Sequence, residues 1–176
     1  MGGRRVTIII ASALLAFAVV PPAGGAPVLR LTPDRLGPIT FGTTLEQAST
    51  ELGDTLQAEP SVNGCVYFGL PGPLRYSATL LASRGVELDL IIVGRRGIQT
   101  SRGIRVGDSL RRLRHKYRRR LAVAPRGYDL SGATTFYWVH STVNAGYVLR
   151  FGLYRGRVTE MTAGRRALVV DFGECA

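Results

Sequence analysis

The segment Ile104-Arg-Val-Gly-Asp-Ser-Leu-Arg-Arg-Leu-Arg-His-Lys-Tyr117 restates, 65 residues later, the pattern of Ile39-Thr-Phe-Gly-Thr-Thr-Leu-Glu-Gln-Ala-Ser-Thr-Glu-Leu52. Each copy carries a glycine and two small polar residues ahead of a periodic apolar stretch, which is how a helix start is written. Thr43 or Thr44 can cap the first helix, with Glu46 or Gln47 at the matching third position and Gly53 as the stop. Asp108 or Ser109 can cap the second. At about 100° per residue, Leu45, Ala48 and Leu52 share one narrow stripe, and Leu110, Leu113, Tyr117 and Leu121 fall within about 80° of one another. Such helices are too short and too polar to persist unless something packs against the stripe.

The segments after the two helices also correspond. Phe136-Tyr-Trp-Val139 lies 71 residues after Cys65-Val-Tyr-Phe68, and Tyr147–Tyr154 lies 71 after Tyr76–Ser83. Arg155-Gly156 repeats Arg84-Gly85, and Glu160 is expected to match Asp89. Six extra loop residues around 124–135 account for the change of offset. The first strand is broken by Pro71-Gly-Pro73, and a three-residue loop at 84–86 closes a hairpin. In that hairpin Ala78, Leu80 and Ala82 are expected to share a face with Leu88, Leu90 and Ile92. The expected fold class is α+β, with two tandem repeats at 36–100 and 101–176. Each would be a short helix packed on a roughly three-stranded antiparallel sheet, the two joined side by side to pool their cores. Helices on one face would leave the other face of the joined sheets open and curved by strand twist. Residues 27–35, within a stretch holding Pro27, Pro33 and Pro38, read as a leader crossing the surface.

The first 26 residues have a different character: Arg4 and Arg5, an apolar run from Val6 to Val20, then prolines and small residues to Ala26. That order is the pattern of a secretory signal peptide, cut after Ala26 or one residue earlier. Fifteen residues at about 1.5 Å each cover about 22 Å, short of the roughly 30 Å hydrocarbon core that a membrane anchor must cross. No lipobox cysteine follows the run, so the mature chain is expected to be secreted and released to the extracellular side. Losing the signal leaves 21 basic against 12 acidic residues, nearly all the basic ones Arg, with Lys116 the single Lys. A cationic secreted chain favours anionic partners such as wall polymers, lipid headgroups or an acidic protein face. In that compartment Cys65 and Cys175 are expected to form one disulfide, tying the first repeat to the end of the chain. With only His115 and His140 besides, no metal site is expected, and no cofactor.

The Gly-Thr-Thr-Leu and Gly-Asp-Ser-Leu helix starts, each followed by an antiparallel sheet, resemble the tandem-repeat fold of β-lactamase inhibitory proteins and of BamE-like (SmpA/OmlA) lipoprotein domains. The likeness covers about 36–175. The chain is also similar to uncharacterised secreted proteins of actinobacteria that share the Leu-Gly-Pro-Ile, Phe-Gly-Thr-Thr and Ile-Arg-Val-Gly-Asp patterns. The resemblance implies a non-catalytic, inhibitor-like module that grips another protein with its open sheet face. Inhibitors of this kind carry two disulfides where this chain can make one, and BamE-like proteins are lipidated where this chain lacks the cysteine.

Two surfaces are therefore candidates. The partner-binding set on the open face is Thr79, Leu81, Asp89, Arg150, Tyr154 and Glu160, the residues that alternate with the apolar hairpin positions. Arg150 and Glu160 could equally form a cross-strand ion pair of little weight. Tyr67 and Trp138 join the set if they lie on the open face, where aromatics anchor interfaces, and are core if they lie on the covered one. The anion-binding set is the outward arc of the basic helix 109–121: Arg111, Arg112, His115, Lys116, Arg118 and Arg119, with Arg114 and Arg120 flanking the stripe. Glu46 and Glu51 of the first helix stand where Arg111 and Lys116 stand in the second, so one copy is acidic there and the other basic. The expected partner is an extracellular or envelope protein, the alternative an anionic envelope polymer or lipid surface; export and the lack of a reader motif weigh against nucleic acid. No hydrolase or phosphate-loop motif is present. His140-Ser141 is the one nucleophile-like pair, and neighbours on a strand point to opposite faces, so a hydrolase is the remote alternative.

Overall fold

The computed structural model describes residues 29–59, 65–83, 87–126 and 131–171. The expected signal peptide, the 84–86 loop and Cys175 lie outside them.

The described residues begin with a ribbon of three two-residue strands, β1 (Arg30–Leu31), β2 (Arg35–Leu36) and β3 (Ile39–Thr40). This corrects the reading of 27–35 as a leader crossing the surface. Leu29, Leu31, Leu36 and Ile39 are buried in the main core, and their combined apolar area outweighs the loop character that the prolines suggest. Helix α1 (Leu45–Leu52) follows, and its ends are those that the residues dictate. Thr44 accepts from the Gln47 N–H while the Gln47 side chain accepts from the Thr44 N–H, and Gly53 closes the helix at φ 68°. Ala48 is fully buried, and Leu45 and Leu52 pack against the same core.

Next come the edge strand β4 (Gln57–Ala58), β5 (Cys65–Gly69), a 3-10 turn at Gly72–Leu74, and the hairpin of β6 (Ala78–Ser83) with β7 (Glu87–Val93). The expected strand from Tyr76 begins two residues later, because 75–77 form a turn and leave Tyr76 74% exposed. Strand β8 (Gln99–Thr100) pairs in parallel with β1 and completes a small sheet ordered β3-β2-β1-β8. Helix α2 (Leu110–Tyr117) is capped by Ser109, whose side chain accepts from the Arg112 N–H. It stops four residues before Leu121: Arg118 turns to φ 47°, and Arg118–Arg120 form a 3-10 turn.

The remaining strands are β9 (Ala122–Val123), β10 (Thr135–His140), β11 (Tyr147–Tyr154) and β12 (Arg157–Arg165), and β12 runs directly into a short helix, α3 (Arg166–Val170). The large sheet has eight strands in the order β4-β5-β6-β7-β12-β11-β10-β9, with β7 and β12 antiparallel at its centre. The fold is thus mixed α+β, mostly sheet with few short helices.

The hairpin register departs from the alternation expected of it. Leu81 pairs with Leu90 but Ala82 pairs with Leu88, so Asp89 is an extra residue, a β-bulge. Leu88 stays on the face of Ala82 as expected. Beyond the bulge the side chains change places: Ile91 and Val93 join the main core with Leu80 and Ala78, while Leu90 and Ile92 go to the other face with Leu81. A second bulge falls at Thr159, one position before Glu160, because Arg155-Gly156 is a two-residue turn where three residues separate Ser83 from Glu87. The expected match of Glu160 with Asp89 is therefore off by one.

The sheet is covered on both sides. One face packs on α1, α2 and the small sheet through a cluster that includes Leu80, Ala82, Leu113, Phe151 and Met161. On the other, α3 contributes Leu168 to a cluster with Cys65, Leu81, Leu90 and Ile92, and Val169 to one with Phe136, Trp138 and Val148. Among the described residues, most of the face expected to be open is buried.

Candidate functional site

The residues expected on an open face are mostly interior. Leu81, Asp89, Arg150, Glu160 and Trp138 are buried, Thr79 and Tyr67 are half-buried, and of the eight only Tyr154 is exposed, at 43%. The physical reason lies at the end of β12. The chain turns back as α3 across β11, β12 and β7, and its apolar side chains cover what the strands would otherwise present to water.

Within this covered layer the polar groups are held by one another. Arg150 is 1% exposed, its Nη2 is 3.7 Å from Glu160 Oε1, and its guanidinium carbon lies 5.1 Å from the Phe136 ring centre. The Thr162 hydroxyl donates to the same Glu160 oxygen at 3.0 Å. The expectation of an exposed pair of little weight is thereby corrected: the pair is buried and bears a large desolvation cost. The Arg166 guanidinium lies over the Trp138 ring at 4.9 Å, and the His140 ring meets it in a T-shaped contact at 5.1 Å. Asp89, buried in its bulge, is reached by Arg165 Nε at 2.7 Å, while Arg165 Nη2 bonds Glu87 at 2.9 Å. Partial burial lowers the Arg165 pKa, but the Asp89 carboxylate, the Tyr147 phenol and the Glu87 carboxylate together raise it more, and the net shift is upward. Cys65 sits 1% exposed on this covered face beside Tyr67, and among the described residues no cysteine is free.

The basic helix stands where the sequence places it. Leu113 and Tyr117 point into the core, and Arg111, Arg112, His115, Lys116, Arg118 and Arg119 are all exposed. Of these six only Arg112 is tied down, to Asp108 at 3.2 Å and to the Gly103 carbonyl at 3.3 Å. Arg114 leans the other way, donating to the Tyr137 hydroxyl at 3.0 Å with its guanidinium 5.7 Å from that ring centre. Arg111, His115, Lys116, Arg118 and Arg119 make no side-chain hydrogen bond or ion pair with another described residue. The positive φ at Arg118 widens the arc, because it swings the triple arginine of the 3-10 turn out at the helix end.

Behind that end lies a pocket of about 420 Å³ between the amino-terminal ribbon, the 3-10 turn and the β10–β11 connection. Arg35, Arg102, Arg120, Asp34 and Tyr117 line it. Sequence reasoning missed this grouping, since Arg35, Arg102 and Arg120 come from three separate segments with no shared spacing. Tyr117 is 4% exposed, and burial pushes its phenol up in pKa against the opposing pull of a Thr100 contact and of the Arg102 and Arg120 charges. The Thr100 contact is too loose for a well-formed hydrogen bond, and the Tyr117 hydroxyl has no other partner among the described residues.

Among the described residues no hydrogen bond joins His140 to Ser141. The Ser141 hydroxyl accepts the Val143 and Asn144 N–H groups at 3.1 Å each and so builds the β10–β11 turn. No group of three His, Cys, Asp or Glu residues with metal-binding geometry occurs among the described residues.

No known protein family matches the sequence, and no curated protein matches it. Among solved structures, the chain is similar to the uncharacterized protein yfeY from Escherichia coli, with 17% identity over 77% of this chain and 99% of that one and a TM-score of 0.48. It is also similar to an extracellular protein containing a SCP domain from Bacillus anthracis str. Ames, with 11% identity over 74% of this chain, 46% of that one, and a TM-score of 0.45. No helix among the described residues is long and apolar enough to cross a membrane.

Proposed function

We propose that this chain is an exported, non-catalytic binding protein that holds a soluble anionic polymer of the cell envelope on the outer arc of α2. The observation that carries this reading is the group of five cationic or protonatable side chains, Arg111, His115, Lys116, Arg118 and Arg119, exposed together without partners among the described residues. Such a field raises the local concentration of a polyanion and is screened by salt. A polymer suits the arc better than a bilayer does. Interfacial helices insert an apolar face, whereas the apolar stripe of α2 is spent on the core and its exposed side is entirely polar. A protein partner on the sheet face, the primary expectation from the family resemblance, has less support because most residues named for that face are buried.

Export rests on the pattern of residues 1–26. The pairing of Cys65 with Cys175 is part of the same proposal, supported by the finding that Cys65 is not a free thiol. We also infer that the chain is a tandem duplication of the kind seen in β-lactamase inhibitory and BamE-like proteins. Three features support this. Four strands run outward from the centre in the same order on each side. Thr162 pairs with Ile92 while Met161 and Ala163 pair with Val93 and Ile91, as a two-fold through that point requires. The bridge from Thr44 to Glu87 is repeated from Ser109 to Arg157.

The test is co-sedimentation of the mature protein with isolated cell walls. Retention should fall steeply between 0.1 and 1 M salt, where the screening length shrinks from about 10 to about 3 Å. Replacing Arg111, Arg112, Lys116, Arg118 and Arg119 with Gln should abolish it. Retention insensitive to salt and to these substitutions would overturn the reading, and binding only to acidic vesicles would replace the polymer with a membrane. A parallel β-lactamase inhibition assay addresses the inhibitor resemblance directly.

A further inference from the structure

We propose that the pocket behind the α2 end is a discrete binding site for a phosphoryl group carried on a small hydroxylated molecule. The proposal does not depend on the polymer reading, because the pocket is lined by residues other than those of the arc. Arg102 is its centre. The Arg102 Nη1 donates to the Lys116 carbonyl at 2.9 Å, and its guanidinium carbon is held 5.5 Å from the centre of the Tyr117 ring. Two constraints on one side chain fix the plane of the fork before any ligand arrives. The remaining N–H donors stay available in the arrangement that phosphate oxygens accept. Arg120, on the 3-10 turn, lines the same pocket as Arg102, on the loop after β8. Arg35 approaches from β2 and donates to the Thr40 hydroxyl at 3.3 Å, which brings a third positive charge to the rim.

The pocket also contains the means to choose among anions. Asp34 is its one acid among the described residues, and it accepts a hydrogen bond from Thr32 at 3.0 Å. A carboxylate in an otherwise cationic pocket disfavours a ligand that is anionic throughout and accepts hydroxyl donors from one that is not. Thr142 also lines the pocket. The volume of about 420 Å³ lies within the roughly 300–1,000 Å³ range of small-molecule pockets and leaves room beyond a phosphate for an organic remainder. The same phosphoryl chemistry occurs on a free phosphorylated polyol and on a glycerophospholipid headgroup.

The experiment is calorimetric titration of the mature protein with glycerol 3-phosphate, inorganic phosphate and phosphatidylglycerol vesicles at fixed ionic strength, with chloride as the control anion. Saturable one-site binding of glycerol 3-phosphate, tighter than that of inorganic phosphate, is expected. Arg102→Gln should weaken it about 10- to 100-fold, the value of a charge-assisted hydrogen bond to a phosphate. Arg120→Gln, an exposed position whose change leaves packing intact, is the second variant and should weaken binding in the same direction. Arg119→Gln, on the arc, should leave the titration unchanged. Saturable binding confined to vesicles, and lost in Arg102→Gln, would support the same site with a lipid headgroup as its source. No saturable binding to any of the three probes, or equal affinity in wild type and Arg102→Gln, would overturn the proposal. The arc variant used for wall retention separates the two ideas, since losing retention while keeping the glycerol 3-phosphate titration leaves the pocket standing.

Discussion

Replacing Gly164 with Ala probes the seam on which the fold depends. Gly164 is buried in β12, between Val148 of β11 and Leu90 of β7, with φ at 148°. A Cβ there would strike the Asp89 carbonyl oxygen and stand 2.6 Å from both Cα and Cβ of Leu90. These are backbone and near-backbone atoms of the neighbouring strand, so no side-chain rotation relieves the clash. Overpacking costs about 1–3 kcal/mol, and a non-glycine residue held at such a φ costs about 1–3 kcal/mol more. The expected loss is therefore about 2–6 kcal/mol, a fall in melting temperature of about 5–20 °C for a chain of this size. Gly94 is the internal control: it follows β7, is exposed, and has nothing within 4 Å of its added Cβ. Gly94→Ala should stay within about 0.5 kcal/mol of wild type. Thermal and urea denaturation of the three proteins, read by circular dichroism, gives the answer. Equal stability of the two variants would refute the claim that β7 and β12 close on each other at Gly164.

Tyr117→Phe should be neutral or slightly stabilising near neutral pH, because the lost hydroxyl has no well-formed partner among the described residues. In alkali the sign is definite. The folded phenol is raised above its ordinary value, so its contribution is fully present below about pH 10 and is lost as pH rises through the folded value. Wild type should lose stability above about pH 10 relative to Tyr117→Phe, and parallel pH profiles would contradict the burial argument. A thiol assay on the denatured, unreduced mature protein should find no reactive cysteine, and reduction should cost at most about 4–5 kcal/mol for a loop of about 110 residues. Two free thiols would remove the disulfide from the account.

Local signals in this chain are read correctly from sequence because their causes are local. Thr44 with Gln47, Gly53 and Ser109 mark helix ends through hydrogen bonds that span three or four residues. The Leu113 and Tyr117 stripe predicts its own burial, and the arc opposite it predicts its own exposure. The errors arise where a distant segment intervenes. Alternation in β7 is broken at Asp89, and one inserted residue exchanges the faces of Leu90 through Val93. Nothing in the hairpin sequence marks that insertion, since Leu90, Ile91, Ile92 and Val93 are all apolar and satisfy either face.

The same division holds for function. By itself the sequence determines that a basic helix exists, which side of it faces water, and that the chain is cationic. Whether a sheet face is open depends on what the chain does after its last strand, and α3 is only five residues long. Its Leu168 and Val169 are ordinary apolar residues, and their landing on β7, β11 and β12 puts Leu81, Leu90, Ile92 and Trp138 into an interior. The pocket is likewise a product of tertiary structure, because Arg35, Arg102 and Arg120 meet only when the ribbon, the loop after β8 and the turn after α2 are brought together. Short-range hydrogen bonding and periodicity are encoded along the chain, whereas burial of charge is decided by which segments pack together.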